Sequence, residues 1–198
     1  MVTFSKPSRL TPEDVERAGK RDGKRYELID GALREKAVGM RNAFIAGLIS
    51  ARLNEAFYPS FGCAIAGAMI YCFDRPDHGR KPEVTFIRLD RLPGKKLPQG
   101  DLMVAPDLVA EILSDEIAAI EVQNRLDEYL AAGVRLVWIV NPDRRTIRIY
   151  RADGTTRLFQ GADVMENEPL LPGFRLVTAE VFPDEGTAMI EKGTALPA

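Results

Sequence analysis

The sequence predicts an α/β fold, a central mixed β-sheet with helices on its flanks, and two observations carry that prediction. Leu108–Leu113 and Leu136–Val140 are nearly continuous apolar runs, as expected of strands covered on both faces. Between them Asp115–Ala132 reads as one helix, closed by Gly133 at the left-handed position after a helix end. Strand, helix and strand at this spacing form a βαβ unit, so the two strands should lie parallel in one sheet.

The flanking elements follow in order. Thr11-Pro12-Glu13-Asp14 is a helix start: Thr suits the N-cap, Pro the first helical position and the acids the first turn. Arg25–Leu33 reads as a β-hairpin around Asp30-Gly31, a pair that tolerates positive φ. From Asn42 to Phe57 the apolar residues Phe44, Ile45, Leu48, Ile49, Leu53, Ala56 and Phe57 have helical spacing, with one buried stripe. Cys63–Ala66, Met69–Phe73 and Val84–Ile87 are strand-like runs, with a polar loop at Asp74–Lys81 and an exposed one at Arg88–Gly100. Thr146–Tyr150 and Thr156–Phe159 make a second hairpin around Asp153-Gly154, and the tail after Pro183 is weakly patterned. With no repeat or linker, residues 1–198 are expected to form one domain with its core at about residues 11–182.

Composition excludes several classes. Net charge is −2, from 27 Lys+Arg against 29 Asp+Glu, so any nucleic-acid surface must be a local patch. Lys20–Arg25, Arg88–Lys96 and Arg144–Arg151 are the candidate basic stretches. Cys63 and Cys72 form no CxxC pair and His78 is the only histidine, so a Cys/His zinc site is excluded on count. The two thiols are expected to be reduced. There is no GxSxG elbow, no GxxxxGK[ST] phosphate loop and no GxGxxG after a strand. No apolar run approaches the roughly 18 residues of a membrane span. Met1–Arg9 lacks the apolar centre of a secretory signal, so a cytoplasmic protein is expected.

Candidate chemistry rests on carboxylates. Glu111 lies in the middle of a buried strand, where a charge is costly unless it is paired or holds a metal. Glu83 stands at the mouth of another strand, after Pro82. Alone it reads as a strand-edge charge; beside Glu111 it completes a pair able to hold a hard cation such as Mg²⁺. Glu121, Arg125 and Tyr129 recur every four residues on one helix face, which is either an ordinary surface pair or a face turned towards Glu111. Glu27, between Tyr26 and Leu28, points away from those two by alternation.

Four stretches in this order resemble the Uma-two family of bacterial restriction-endonuclease-like proteins. They are Tyr26–Gly31, Lys81–Val84, Ala105–Ser114, and Tyr129 with Ala132–Val134 and Val137–Pro142. The resemblance covers about Thr11 to Phe182. It implies a PD-(D/E)XK nuclease fold, Mg²⁺ (or Mn²⁺) as cofactor, DNA as partner and a homodimer. By resemblance Glu83 and Glu111 hold the metal together with the backbone carbonyl of Ile112, Arg125 contacts the scissile phosphate, and Glu27 orients water or a second metal. The chain departs from the family at several positions. Glu83 replaces the usual Asp, Arg125 stands where the migrated Lys is expected, and Leu113 occupies the older Lys position. Asn42 replaces a His, Glu121 an Asp, and Ser114-Asp115 a Ser-Pro. Arg keeps the charge of Lys but cannot release a proton. Two functions follow: a Mg²⁺-dependent endonuclease cutting DNA, or a catalytically inactive nuclease-fold protein acting as a binding or interaction module.

Overall fold

The structure is a computed structural model and describes residues 9–37, 39–114 and 119–183. The expectations for Met1–Ser8, for the helix start at Asp115 and for the tail beyond Pro183 lie outside the described residues.

The chain opens with α1 (Pro12–Asp22), capped by Asp14, whose carboxylate accepts the Thr11 backbone N–H at 2.9 Å. The hairpin β1 (Tyr26–Ile29) and β2 (Ala32–Glu35) turns at Asp30 (φ 52°) and Gly31 (φ 79°). Two consecutive positive φ values give the turn that matches strand twist. Helix α2 (Met40–Phe57) follows, then β3 (Gly62–Ala66), β4 (Val84–Arg88), β5 (Leu108–Ile112), α3 (Ala119–Ala131), β6 (Leu136–Asn141), β7 (Thr146–Arg151) and β8 (Thr156–Gln160). A small antiparallel pair, β9 (Val164–Glu166) and β10 (Arg175–Val177), completes the order. Three residues per strand are too few to display alternation, so this last pair carries no signature in the sequence.

Strands β3 to β8 form one six-stranded sheet in chain order. Only β5 and β6 are parallel, with Glu111 opposite Ile139, so the expected βαβ unit lies at the centre of a mixed sheet. Alternation divides the side chains. Leu108, Ala110, Ile112, Leu136, Trp138 and Val140 join the core under α2, while Val109, Val137 and Ile139 join Leu126 and Tyr129 of α3 on the other face. Glu111 follows Val109 in period and therefore faces α3.

Two expectations are corrected, and one polar loop is more buried than its composition suggests. Met69–Phe73 is not a strand; it makes only isolated bridges from Ile70 to Arg80 and to Leu102. Its apolar character comes from burial, with Met69 and Tyr71 packed beside Val15 and Leu28. The loop 74–81 is not solvated throughout, since Asp77, His78 and Arg80 are buried and each pairs with a distant element. Phe44 is 53% exposed, because the stripe of α2 is Ile45, Ala46, Ile49, Ser50, Leu53 and Phe57, and Phe44 sits about 100° round the helix from Ile45. Cys63 and Cys72 are both free, as expected.

Candidate active site

Glu111 is 3% exposed and faces α3, so its charge must be met by side chains rather than water. Arg125 and Tyr129, one turn apart on α3, meet it: Arg125 Nη1 donates at 3.4 Å and the Tyr129 hydroxyl at 2.5 Å. The i,i+4 face of Glu121, Arg125 and Tyr129 does turn inward. Burial alone would raise the Glu111 carboxyl. Lys36, Arg125 and the Tyr129 hydrogen bond outweigh it and hold the group down at about 2.

The third partner of Glu111 is Lys36, one residue beyond β2. Its Nζ lies 3.0 Å from Glu111 Oε2, 3.0 Å from Glu83 Oε1, 2.8 Å from the Lys81 carbonyl oxygen and 3.9 Å from Glu27 Oε1. Glu83 is buried at the entry to β4, and its Oε2 accepts the Ile112 backbone N–H at 2.9 Å. The two acids part company electrostatically. Burial and the Glu111 charge push the Glu83 carboxyl up to about 7, against the pull of Lys36 and the Ile112 N–H.

These groups suit a hard divalent cation in donor chemistry. Among the described residues no three Asp, Glu, His or Cys side chains gather in metal-holding geometry. Glu83 and Glu111 nevertheless converge on one point, where a cation, the Lys36 ammonium, already sits among oxygens alone. Oxygen-only surroundings favour Mg²⁺ or Mn²⁺ over softer ions. Charge points the same way. Among the described residues five linked carboxyl groups (Glu27, Glu83, Glu111, Glu121 and Glu128) meet the cations Lys36, Arg80 and Arg125. The Ile112 carbonyl oxygen, expected beside the carboxylates, accepts Asn42 Nδ2 at 3.3 Å, and the same amide reaches Leu113 O at 3.1 Å. Asn42 thus holds the end of β5 to the start of α2.

Glu27 is 1% exposed, and its surroundings leave no oxygen idle. Oε1 accepts Arg125 Nη1 (3.0 Å) and the Lys81 N–H (2.9 Å); Oε2 accepts Arg125 Nη2 (2.8 Å) and Arg80 Nη1 (3.2 Å). Burial alone would raise the Glu27 carboxyl, but Lys36 and Arg125 outweigh it and hold the group below its ordinary value. Arg125 in turn divides its guanidinium among Glu27, Glu111 and Glu121 and is 8% exposed. Both groups are buried within the cluster. Arg80 extends the web, its Nε reaching Glu128 at 2.7 Å beside His78 Nε2 at 3.1 Å.

All four expected site residues therefore meet in one cluster, and Lys36, Arg80, His78 and Glu128 join them. Lys36 carries no local signal, since it follows a two-faced polar strand end. Arg80 lies in a run that reads as a plain polar loop. Beside Lys36 and Glu83 a small cleft of about 90 Å³ opens to solvent, lined by Arg25, Lys81, Pro82 and the small residues Ala43, Ala46, Ala66 and Gly67. Burial and the Arg25 charge pull the Lys81 ammonium below its ordinary value.

Known proteins agree with this architecture. Residues 12–180 match the Uma2 (Uma-two) family model, described as "Putative restriction endonuclease". In fold the chain is similar to a crystal structure described as "a putative nuclease belonging to DUF820" from Anabaena variabilis. The TM-score is 0.68 and the identity 21%, over 81% of this chain and 90% of that one. No curated protein matches. Among the described residues no helix is long and apolar enough to cross a membrane. With the family model spanning nearly the whole sheet, both covering helices and the carboxylate cluster, the chain belongs to the Uma2 family and has a restriction-endonuclease-like fold.

Proposed function

We propose that this chain is a metal-dependent endonuclease that hydrolyses phosphodiester bonds of DNA, working as a single domain. The observation that carries the reading is the convergence of Glu83 and Glu111 on one cation position, each 3.0 Å from Lys36 Nζ. Glu83 and Glu111, with the Ile112 carbonyl, would hold Mg²⁺ or Mn²⁺. Such an ion, when bound, lowers the pKa of a coordinated water and neutralises charge on a phosphoryl oxygen.

The protein's own groups divide the remaining work. Lys36, rather than Arg125, is the cation placed beside both carboxylates and the cleft. Burial would lower its pKa, but the Glu111, Glu83 and Glu27 charges raise it; displaced from the convergence point when the metal binds, it would serve as a charged donor to a phosphate oxygen, not as a base. Arg125 and Glu27 are positioning residues that fix Glu111 from behind. The usual Asp-to-Glu lengthening at 83 is accommodated by the Ile112 N–H, which pins one oxygen and leaves the other facing Lys36.

Calorimetric titration of Mn²⁺ and then Mg²⁺ tests the reading on wild type, Glu111→Ala and the near-isosteric Glu111→Gln, with folding checked by circular dichroism. Binding by wild type and none by the folded variants is expected, followed by metal-dependent nicking of plasmid DNA. Equal binding by all three would sink the assignment. One observation favours the inactive alternative, a binding module: Lys36 already neutralises the convergence point. In that case millimolar metal leaves the melting temperature where it was. The reading includes a homodimer in the bacterial cytoplasm, as soluble oligomers are most often twofold.

A further inference from the structure

We propose that Arg25 and Lys81 form a phosphate clamp that grips the nucleic-acid backbone beside the carboxylate pair, by charge and without reading bases. The inference rests on the nuclease reading and adds to it the residues that hold the substrate strand.

Both residues are tied to the site through their main chains, which leaves their side chains to the cleft. The Arg25 carbonyl accepts the Lys36 backbone N–H at 2.9 Å across the hairpin. The Lys81 N–H binds Glu27 Oε1 at 2.9 Å and the Lys81 carbonyl binds Lys36 Nζ at 2.8 Å. The Arg25 guanidinium lies over Gly67, where an added Cβ would stand 3.5 Å from Nη1, and Gly67 N–H in turn binds the Glu83 carbonyl at 2.9 Å.

Charge pairing separates these two cations from their neighbours. Lys24 pairs with Glu35 at 2.6 Å and Lys36 with Glu83 and Glu111 at 3.0 Å. Among the described residues neither Arg25 nor Lys81 has a carboxylate within 4.0 Å. Lys81 feels Asp101 and Glu27 only at longer range, so among the described residues two cations without a close carboxylate line one cleft and repel each other, and an anion between them removes that repulsion. The anion must also suit the walls, which carry small side chains and no aromatic ring on which a base could stack. A phosphodiester fits this description, and Glu83 and Lys36 line the same cleft, so a phosphate held there lies against the cluster.

The test measures binding without turnover, with Ca²⁺ in place of Mg²⁺. Fluorescence anisotropy follows labelled duplex DNA, single-stranded DNA and a scrambled sequence between roughly 50 and 200 mM salt. The proteins are wild type, Arg25→Gln, Lys81→Gln, the double variant and Arg157→Gln on the distant strand β8. Each clamp substitution is expected to reduce the slope of log affinity against log salt by about 0.9 on duplex or about 0.7 on single strand, equally for both sequences. Arg157→Gln should leave the slope unchanged. Unchanged slopes in the clamp variants, with wild type still binding, overturn the clamp and spare the nuclease reading. A wild type that binds Mn²⁺ but no oligonucleotide overturns both the clamp and the nucleic-acid substrate. A wild type that binds oligonucleotide through these residues but no metal supports the clamp and removes the metal reading.

Discussion

Glu27 shows how far a residue's surroundings can depart from its sequence context. Strand alternation places it opposite Tyr26 and Leu28, as a charge facing water. In the folded protein both faces of β1 are covered at that point, and Leu28 and Glu27 are 0% and 1% exposed. The carboxylate tolerates burial because Arg125 grips it with two nitrogens and Arg80 and the Lys81 N–H complete its shell. Removing one partner of such a pair leaves the others charged and dry. Glu27→Gln is therefore expected to cost about 3–5 kcal/mol in urea denaturation. A loss under about 1 kcal/mol, the scale of exposed pairs, would show that the two arginines find other partners. The same logic separates Glu83 from Glu111. They share Lys36, but only Glu111 also has Arg125 and Tyr129, so it keeps its charge while Glu83 is pushed up to about 7.

At the scale of elements, the site depends on how the β1–β2 hairpin docks. The hairpin brings Glu27 and places Lys36, and two backbone bonds between Leu28 and Gly79 (3.0 and 2.6 Å) fasten it to the segment holding Arg80 and Lys81. Gly79 is required by space, not by backbone angle: an added Cβ would overlap the Tyr71 ring. That ring is itself buried against the hairpin, so it has little room to yield. Gly79→Ala is expected to lower stability by about 1–3 kcal/mol, the usual cost of overpacking. It should also weaken Mn²⁺ binding, since Arg80 and Lys81 would move with the backbone. Thermal melts and calorimetry on the same sample check both; wild-type values in both would mean that the contact is slack.

The whole molecule is organised by a sheet covered on both faces, and its central strand β6 carries the single tryptophan, Trp138, fully buried under the α2 side. Its position makes it a reporter of the entire core. The carboxylate web stitches the hairpin, the 77–81 segment and α3 to β5, so these parts should unfold together. Trp138 fluorescence and far-ultraviolet circular dichroism are expected to give coincident urea transitions. A separate early transition in circular dichroism would show that hairpin and α1 melt before the sheet.

The sheet centre and the identity of the acids are legible in the sequence. Two apolar runs fix β5 and β6 because strands buried on both faces have no polar positions to spare, and a carboxylate inside such a run must have a partner. The turns at Asp30-Gly31 and Asp153-Gly154 were legible because their backbone angles admit few residues. The cations that meet them become visible only in the folded chain. Lys36, Arg80 and the inward face of Arg125 reach Glu111 across 75, 31 and 14 positions or through a shared acid. A long side chain in a polar stretch carries no local mark of where its charge will end. Burial of residues 77–81 was hidden for the same reason: charged residues read as solvated until the fold supplies partners for them.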